Sequence, residues 1–280
     1  MLGEVIDLLA CPACRSELDV DDGVAQCLRG HRFDVARQGY VSLLDGGSTK
    51  FVGDSAEMIA ARARFLGSGH FDPLMRTLAA ACVESAPDPE PARLVEIGAG
   101  TGQYLTYVLD RLPHSRAVAL DVSKFAARRA ARAHENIGSI VADAWQPWPL
   151  RDSSLSHVLC VFAPRNGAQS HRVLDDGGVL VVLTPTERHL RELIGDLDMV
   201  RVDDRKVERL ESSMAGLFDR VDSSVVEYVA VLSRADVLDL VGMGPTARHR
   251  SAADLSAAVA NLPETIRVTV SATVTVYRKQ

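Results

Sequence analysis

Three cysteines and a histidine fall within 21 residues, as Cys11-x2-Cys14, twelve residues, then Cys27-x3-His31. Thiolates and imidazole suit Zn²⁺, which takes four S or N ligands tetrahedrally, and two tight turns that each offer a ligand pair supply that geometry without a large core. With all four positions filled by protein such an ion is structural, and its binding folds a module too short to stand alone. A second pattern lies at Val95-Glu96-Ile97-Gly98-Ala99-Gly100-Thr101-Gly102, where an apolar strand runs into three glycines and a helix start. Glycine there allows a sharp turn and lets a ligand lie against main-chain N–H groups. The spacing is G-x-G-x-G, with Glu96 two residues ahead, and so departs from the G-x-G-x-x-G dinucleotide fingerprint. Asp121 closes the next apolar strand about 20 residues on, where a carboxylate can accept ribose hydroxyls. Asp143 closes a third in Val141-Ala142-Asp143-Ala144.

These groups need a scaffold. The 280 residues are 47% hydrophobic and 24% charged with a net charge of -6, which excludes a disordered chain and a surface that is polycationic throughout. No apolar run reaches the roughly 18 residues of a membrane span. Glu4 and Asp7 stand where a secretion signal would be basic, and five cysteines, three of them clustered, suit a reducing cytoplasm. Short alternating pieces predict a small module over residues 1–48, with Gly46-Gly47-Ser48 as its joint. A helical connector follows over 49–90, with helices at 55–66 and 73–84. From 91 to 280 apolar runs at 94–97, 117–120, 140–141, 158–162 and 179–183 alternate with helical stretches at 103–111, 123–134 and 167–174. Repeated βα units of this kind require a mostly parallel sheet. Runs at 225–232 and 267–277 predict an antiparallel pair at its edge, with helices near 234–241 and 251–260 between them. Cys82 and Cys160 fall in these patterns as buried thiols.

The glycine turn with its preceding acid resembles motif I of the class I S-adenosylmethionine (SAM) methyltransferases, a Rossmann-like α/β fold. Three further stretches carry a closer resemblance: Phe33-Asp34-Val35-Ala36-Arg37-Gln38-Gly39-Tyr40-Val41, Gly53-Asp54-Ser55-Ala56-Glu57-Met58 and Phe65-Leu66-x-Ser68-Gly69-His70-Phe71. With Phe162-Ala163-Pro164, Thr184-Pro185-x3-His189-Leu190 and Met243-Gly244-Pro245, they resemble the bacterial 23S rRNA (guanine-N1)-methyltransferases over nearly the whole chain, and most of all the macrolide (tylosin)-resistance branch. The resemblance implies methyl transfer from SAM to guanine N1 in the helix-35 hairpin of domain II, about nucleotide 748, antibiotic resistance, and a homodimer. It implies one zinc on Cys11, Cys14, Cys27 and His31, and SAM contacts at Gly100, Thr101, Phe71 and His189. To these the glycine turn and strand ends add Glu96, Gly98, Gly102, Asp121, Asp143 and Ala144. Relatives commonly carry Tyr where Phe71 stands, so a ring remains but no hydroxyl.

No residue is assigned to catalysis. The turn Phe162-Ala163-Pro164-Arg165-Asn166 lacks the Asn/Asp-Pro-Pro-aromatic motif of many base-nitrogen methyltransferases, which leaves the Ala163 backbone and the Asn166 amide as candidates. For RNA the candidates are Arg29, Arg32 and Arg37 around the zinc turn, with Tyr40 and Arg165. Lys124, Arg128, Arg129 and Arg132 read as a solvated helix face. The alternative function is a small-molecule SAM methyltransferase with a structural zinc module.

Overall fold

The computed structural model describes residues 2–44, 49, 51–86, 91–197, 199 and 214–280. The chain opens with a 3-10 helix, Leu2–Leu8, followed by a small antiparallel sheet of β1 (Leu18–Asp21), β2 (Val24–Cys27) and β3 (Arg32–Asp34). Strand β4 (Tyr40–Ser42) precedes helices α1 (Ala56–Gly67) and α2 (Asp72–Glu84). The larger unit then alternates β5 (Arg93–Ile97), α3 (Gln103–Leu109), β6 (Arg116–Asp121), α4 (Lys124–Ala130), β7 (Ile137–Val141), β8 (Leu155–Val161), α5 (Gly167–Val173), β9 (Leu174–Pro185) and α6 (Arg191–Leu197). Its tail is β10 (Phe218–Ser233), α7 (Arg234–Gly242), α8 (Ala252–Ala260) and β11 (Thr265–Lys279). The expected joint at Gly46-Gly47-Ser48 and residues 87–90 of the proline-rich boundary lie outside the described residues.

The eight-stranded sheet has the order β10-β11-β9-β8-β5-β6-β7-β4. Strands β4 to β9 pair in parallel, and β11 and β10 add an antiparallel pair beside β9. Successive side chains of a strand point to opposite faces, and the core divides accordingly. Leu94, Ala119, Leu159 and Val181 face one layer with α2 and α3; Val95, Val118, Val158 and Leu180 face another with Leu2, Val5, Leu8 and Trp148. The winding reverses at β5, which has β6 on one side and β8 on the other, so the ligand crevice of a doubly wound sheet opens beyond the carboxyl ends of β5 and β8.

Two expectations shift. Helices α3 and α4 stop short of 111 and 134 because Arg111, Leu112, Arg132 and Ala133 turn back onto carbonyls only three residues earlier, which tightens each end out of the α form. The module expected over residues 1–48 packs directly on the large sheet. Its β4 is the eighth strand of the large sheet, with Tyr40 opposite Ser139, and Leu2, Val5, Leu8, Leu9, Val41 and Leu43 share a core with Val95 and Leu120. Strand pairing and burial thus join to the large sheet what composition alone separates.

Candidate active site and metal centre

In the small N-terminal ribbon formed by β1, β2 and β3 and the turns around them, Cys11 and Cys27 are buried and Cys14 half-buried, and one ligand atom from each of Cys11, Cys14, Cys27 and His31 lies within 4.8 Å of every other. Cys14 Sγ is 3.7 Å from Cys27 Sγ, and His31 Nδ1 is 3.3 Å from Cys27 Sγ and 3.6 Å from Cys11 Sγ. Zinc–sulfur bonds of about 2.3 Å at tetrahedral angles place sulfurs about 3.8 Å apart, so the donor set fits the ion. Burial pushes the Cys27 thiol up, but hydrogen bonds from the backbone of His31 and Arg29 and from Ser16 outweigh it and bring the thiol to about 6, the form a metal requires. The predicted RNA contacts Arg29, Arg32 and Arg37 stand exposed around this turn beside a fully exposed Leu28, while Tyr40 is half-buried in β4.

The ribbon is docked, not tethered. Arg15 donates to the carbonyls of Trp148 at 2.6 Å and Leu150 at 2.9 Å and pairs with Asp152, and Arg172 of α5 binds the same two carbonyls. The segment between β7 and β8 is therefore held from both sides. Its first residues, Asp143, Ala144 and Trp145, form a wall of a cavity of about 320 Å³.

That cavity occupies the crevice where the winding reverses. Gly98, Asp121, Val122, Ala142, Val161, Phe162, Ala163 and Pro164 line it. Gly98, Gly100 and Gly102 have φ of 68°, 55° and 77°, a region costly for side-chain-bearing residues. A Cβ on Gly98 would stand 3.1 Å from the Ala163 Cβ, so β5 and β8 end in contact and glycine is what fits between them. Asp121 accepts the Gly100 N–H at 2.9 Å and the Ser123 N–H at 2.8 Å, and burial raises its pKa. Glu96 is 2% exposed, and burial followed by the Asp121 charge pushes it up to about 8. Its Oε2 and the Arg62 Nε are buried and have no partner among the described residues. A glycine cradle backed by orphaned polar atoms fits a polar ligand such as SAM.

Other predicted residues stand further back. Thr101 is buried and donates to Gln103 at 3.0 Å. Phe71 and His189 do not line the cavity; they form a second layer behind Phe162, whose ring stacks on His189 at 5.6 Å, while Phe71 meets His189 at 5.9 Å. Phe162 reaches that stack from a φ of 50°, a strained conformation for a bulky residue. Burial lowers the His189 pKa to about 4, and its Nδ1 accepts the Ser271 N–H at 3.2 Å, which leaves a neutral ring. The catalytic candidate Asn166 caps α5: its Oδ1 accepts the Gln169 N–H at 3.2 Å and its Nδ2 donates to the Ala144 carbonyl at 3.4 Å. Ala163 stays on the cavity wall. Arg165 is half-buried, its pKa is lowered by that burial, and its Nε is buried with no partner among the described residues. Cys82 and Cys160 are fully buried thiols, as expected.

Sequence reasoning missed the strap that closes the cavity. Asp54 pairs with Arg62 at 2.9 Å and Arg248 at 2.7 Å; Arg248 also holds the Val52 carbonyl, and Arg62 the Met243 carbonyl. The Arg62 side chain lies across the glycine turn, its Cδ 3.1 Å from where a Gly100 Cβ would be. Gly53 lies so close to Ser123 that a Cβ would clash at 2.7 Å. The signal was present in Gly53-Asp54 and Ala61-Arg62, but nothing in the spacing says that Arg62 meets Met243 181 residues on and Asp54 meets Arg248 194 residues on.

Comparisons agree with this geometry. Residues 9–45 match the family model "RlmA, N-terminal", a zinc ribbon, and residues 94–178 match a methyltransferase domain. The chain is 43% identical, over 98% of both chains, to a putative 23S rRNA (guanine-N(1)-)-methyltransferase of Micromonospora griseorubida. It is 42% identical, over 99% of both, to the 23S rRNA (guanine(748)-N(1))-methyltransferase of Streptomyces fradiae. A third relative, the putative 23S rRNA (guanine-N(1)-)-methyltransferase YxjB of Bacillus subtilis, is 32% identical over 66% of this chain and 67% of its own. Zinc ribbon, glycine cradle and full-length likeness coincide in one molecule: the chain belongs to the 23S rRNA (guanine-N1)-methyltransferases, SAM-dependent enzymes.

Proposed function

We propose that this enzyme methylates N1 of one guanosine in the helix-35 hairpin loop of 23S rRNA domain II, at the position equivalent to 748, acts in the cytoplasm, and confers macrolide resistance. The observation that carries the reading is one continuous segment that walls the cavity with Asp143, Ala144 and Trp145 and is gripped by Arg15 of the ribbon at Trp148, Leu150 and Asp152, so the RNA-presenting module is anchored directly beside the transfer site. The hairpin and the homodimer rest on the resemblance alone, and the position also on the name of the Streptomyces fradiae relative.

When bound, SAM supplies a methyl made electrophilic by its sulfonium. The chain's own residues align and shield the reaction. The N–H groups of Gly98, Ala99, Gly100 and Gly102 are taken by Leu120, Asp121 and Ala99, so the turn would meet SAM through its Cβ-free surface and the Thr101 N–H, while Glu96 and Arg62 would offer their orphaned atoms to the amino acid end and Asp121 would face the ribose. Phe71 and His189 act through Phe162, setting the ring that floors the base site. Guanine N1 carries a proton at neutral pH and must lose it. The Ala163 carbonyl on the cavity wall orients N1 by accepting its hydrogen bond, and the proton itself passes to solvent water at the open mouth as the methyl is transferred. Cys11, Cys14, Cys27 and His31 hold one structural zinc, and Arg29, Arg32 and Arg37 with Tyr40 grip the hairpin.

Primer extension on rRNA from cells with and without the gene tests this. A methyl on N1 blocks the pairing edge, so reverse transcriptase stops at one domain II nucleotide only when the gene is present, and those cells grow on a macrolide. Equal read-through in both strains refutes the proposal.

A further inference from the structure

At the cavity mouth stands a pair of large rings that packing does not explain. Trp145 is 50% exposed and Phe51 51%, with ring centroids 6.3 Å apart and planes 32° from parallel. Both line the cavity. Trp148, three residues after Trp145, is completely buried, with its Nε1 donating to the Ala144 carbonyl at 2.9 Å. The exposed indole therefore sits on an anchored loop.

One carboxylate sets both rings. Asp143 Oδ1 accepts the Trp145 N–H at 2.9 Å, and Oδ2 accepts the Thr49 hydroxyl at 2.8 Å. The Thr49 Oγ1 in turn accepts the Phe51 N–H at 3.2 Å. The chain Trp145–Asp143–Thr49–Phe51 links the end of β7 to the strap and leaves a splayed aromatic pair open to solvent. Exposing two such rings forfeits burial energy, and holding them in place costs rotamer freedom. A planar ligand arriving from solvent offsets both.

We propose that Trp145 and Phe51 form a stacking subsite for an unpaired base of the RNA loop, with Asp143 as its positioning residue. The inference rests on the RNA substrate argued above. A base is favoured over the adenine of the cofactor because the rings lie at the mouth, whereas the walls that face the glycine turn, Leu120, Ala142 and Val161, are buried. Base–aromatic stacking tolerates any base, so the subsite holds the loop open and leaves identity to the hydrogen-bonding edge.

The two tryptophans make the test specific. Titrating the full-length enzyme with a domain II hairpin transcript quenches fluorescence from the exposed Trp145. Trp145→Ala removes the quench and raises KM for the hairpin about tenfold, well beyond any change in KM for SAM, while Trp145→Phe keeps most of the affinity. Asp143→Asn, which retains an acceptor for one N–H, gives a smaller rise of the same kind. Quenching by SAM alone with no further change on adding RNA overturns the proposal, as does a Trp145→Ala enzyme with normal KM for the hairpin and a normal melting temperature. If the wild-type enzyme leaves the hairpin unmethylated, the substrate reading fails instead, and that result is distinct from either.

Discussion

The ribbon and the sheet reach order by different means. The sheet buries whole strands: every residue of β7 and β8 is buried. The strands of the ribbon bury only Leu18, Ala25 and Cys27, and two of its four candidate metal ligands, Cys11 and Cys27, stand where apolar side chains would otherwise be. One region is held by the hydrophobic effect and the other by a metal, and the difference shows where each is vulnerable. Yet they share β4, a continuous core and the Arg15 clamp, so a failure in the ribbon reaches the cavity wall.

Breaking the metal centre is the strongest test of that contrast. Structural zinc contributes roughly 10–16 kcal/mol of apparent binding energy to small modules, so a chelator or Cys27→Ser is expected to cut RNA methylation by at least about 100-fold. SAM affinity, measured by calorimetry, falls far less because the glycine turn belongs to the sheet. Next comes the shared core. Trp148→Ala empties a fully buried site, and a loss of about 3–5 kcal/mol in denaturant unfolding is expected, with ribbon and sheet melting together. Separate transitions would show that the two regions are independent.

An effect that is smaller per pH unit separates the regions by pH. The folded-state pKa of Glu96 is raised to about 8 from its ordinary 4.5, so between those values the native chain holds a proton that the unfolded chain releases. Stability from this group is therefore present at low pH and declines as pH rises through that window, by up to about 1.4 kcal/mol per pH unit. Glu96→Gln flattens that slope and leaves the ribbon unaffected. The smallest effect concerns the exposed ribbon arginines. Replacing Arg29, Arg32 or Arg37 by Ala is expected to lower the slope of log affinity against log salt by about 0.7 for each phosphate that is no longer neutralised, with turnover at saturating RNA unchanged.

What could be read in advance follows the same division. The zinc ligands and the glycine turn were legible because both are local: residue type and spacing specify the chemistry, and Cys11, Cys14, Cys27 and His31 converge as their spacing requires. The parallel order and antiparallel edge followed from βα alternation and from the valine pattern of β11. Contacts made across the chain were not legible. Thr49 reaches Asp143 over 94 residues, and Arg62 reaches Met243 over 181, and no periodicity encodes either. Asp143 shows the gap: its place at the strand end was legible as a cofactor contact, but not that its two oxygens also position Trp145 and Thr49. Nor was the ring stack of Phe71, His189 and Phe162 behind the cavity legible, because its members come from three distant parts of the chain.

The central claim is that ribbon and sheet together place guanine N1 of 23S rRNA against the donor held by the glycine turn. It is tested most directly by digesting 23S rRNA treated with the purified zinc-loaded enzyme and SAM, and identifying the modified nucleosides by mass spectrometry. The account predicts 1-methylguanosine, dependent on SAM and mapped to one domain II hairpin. An unmodified RNA, or a methyl on any other atom, contradicts it.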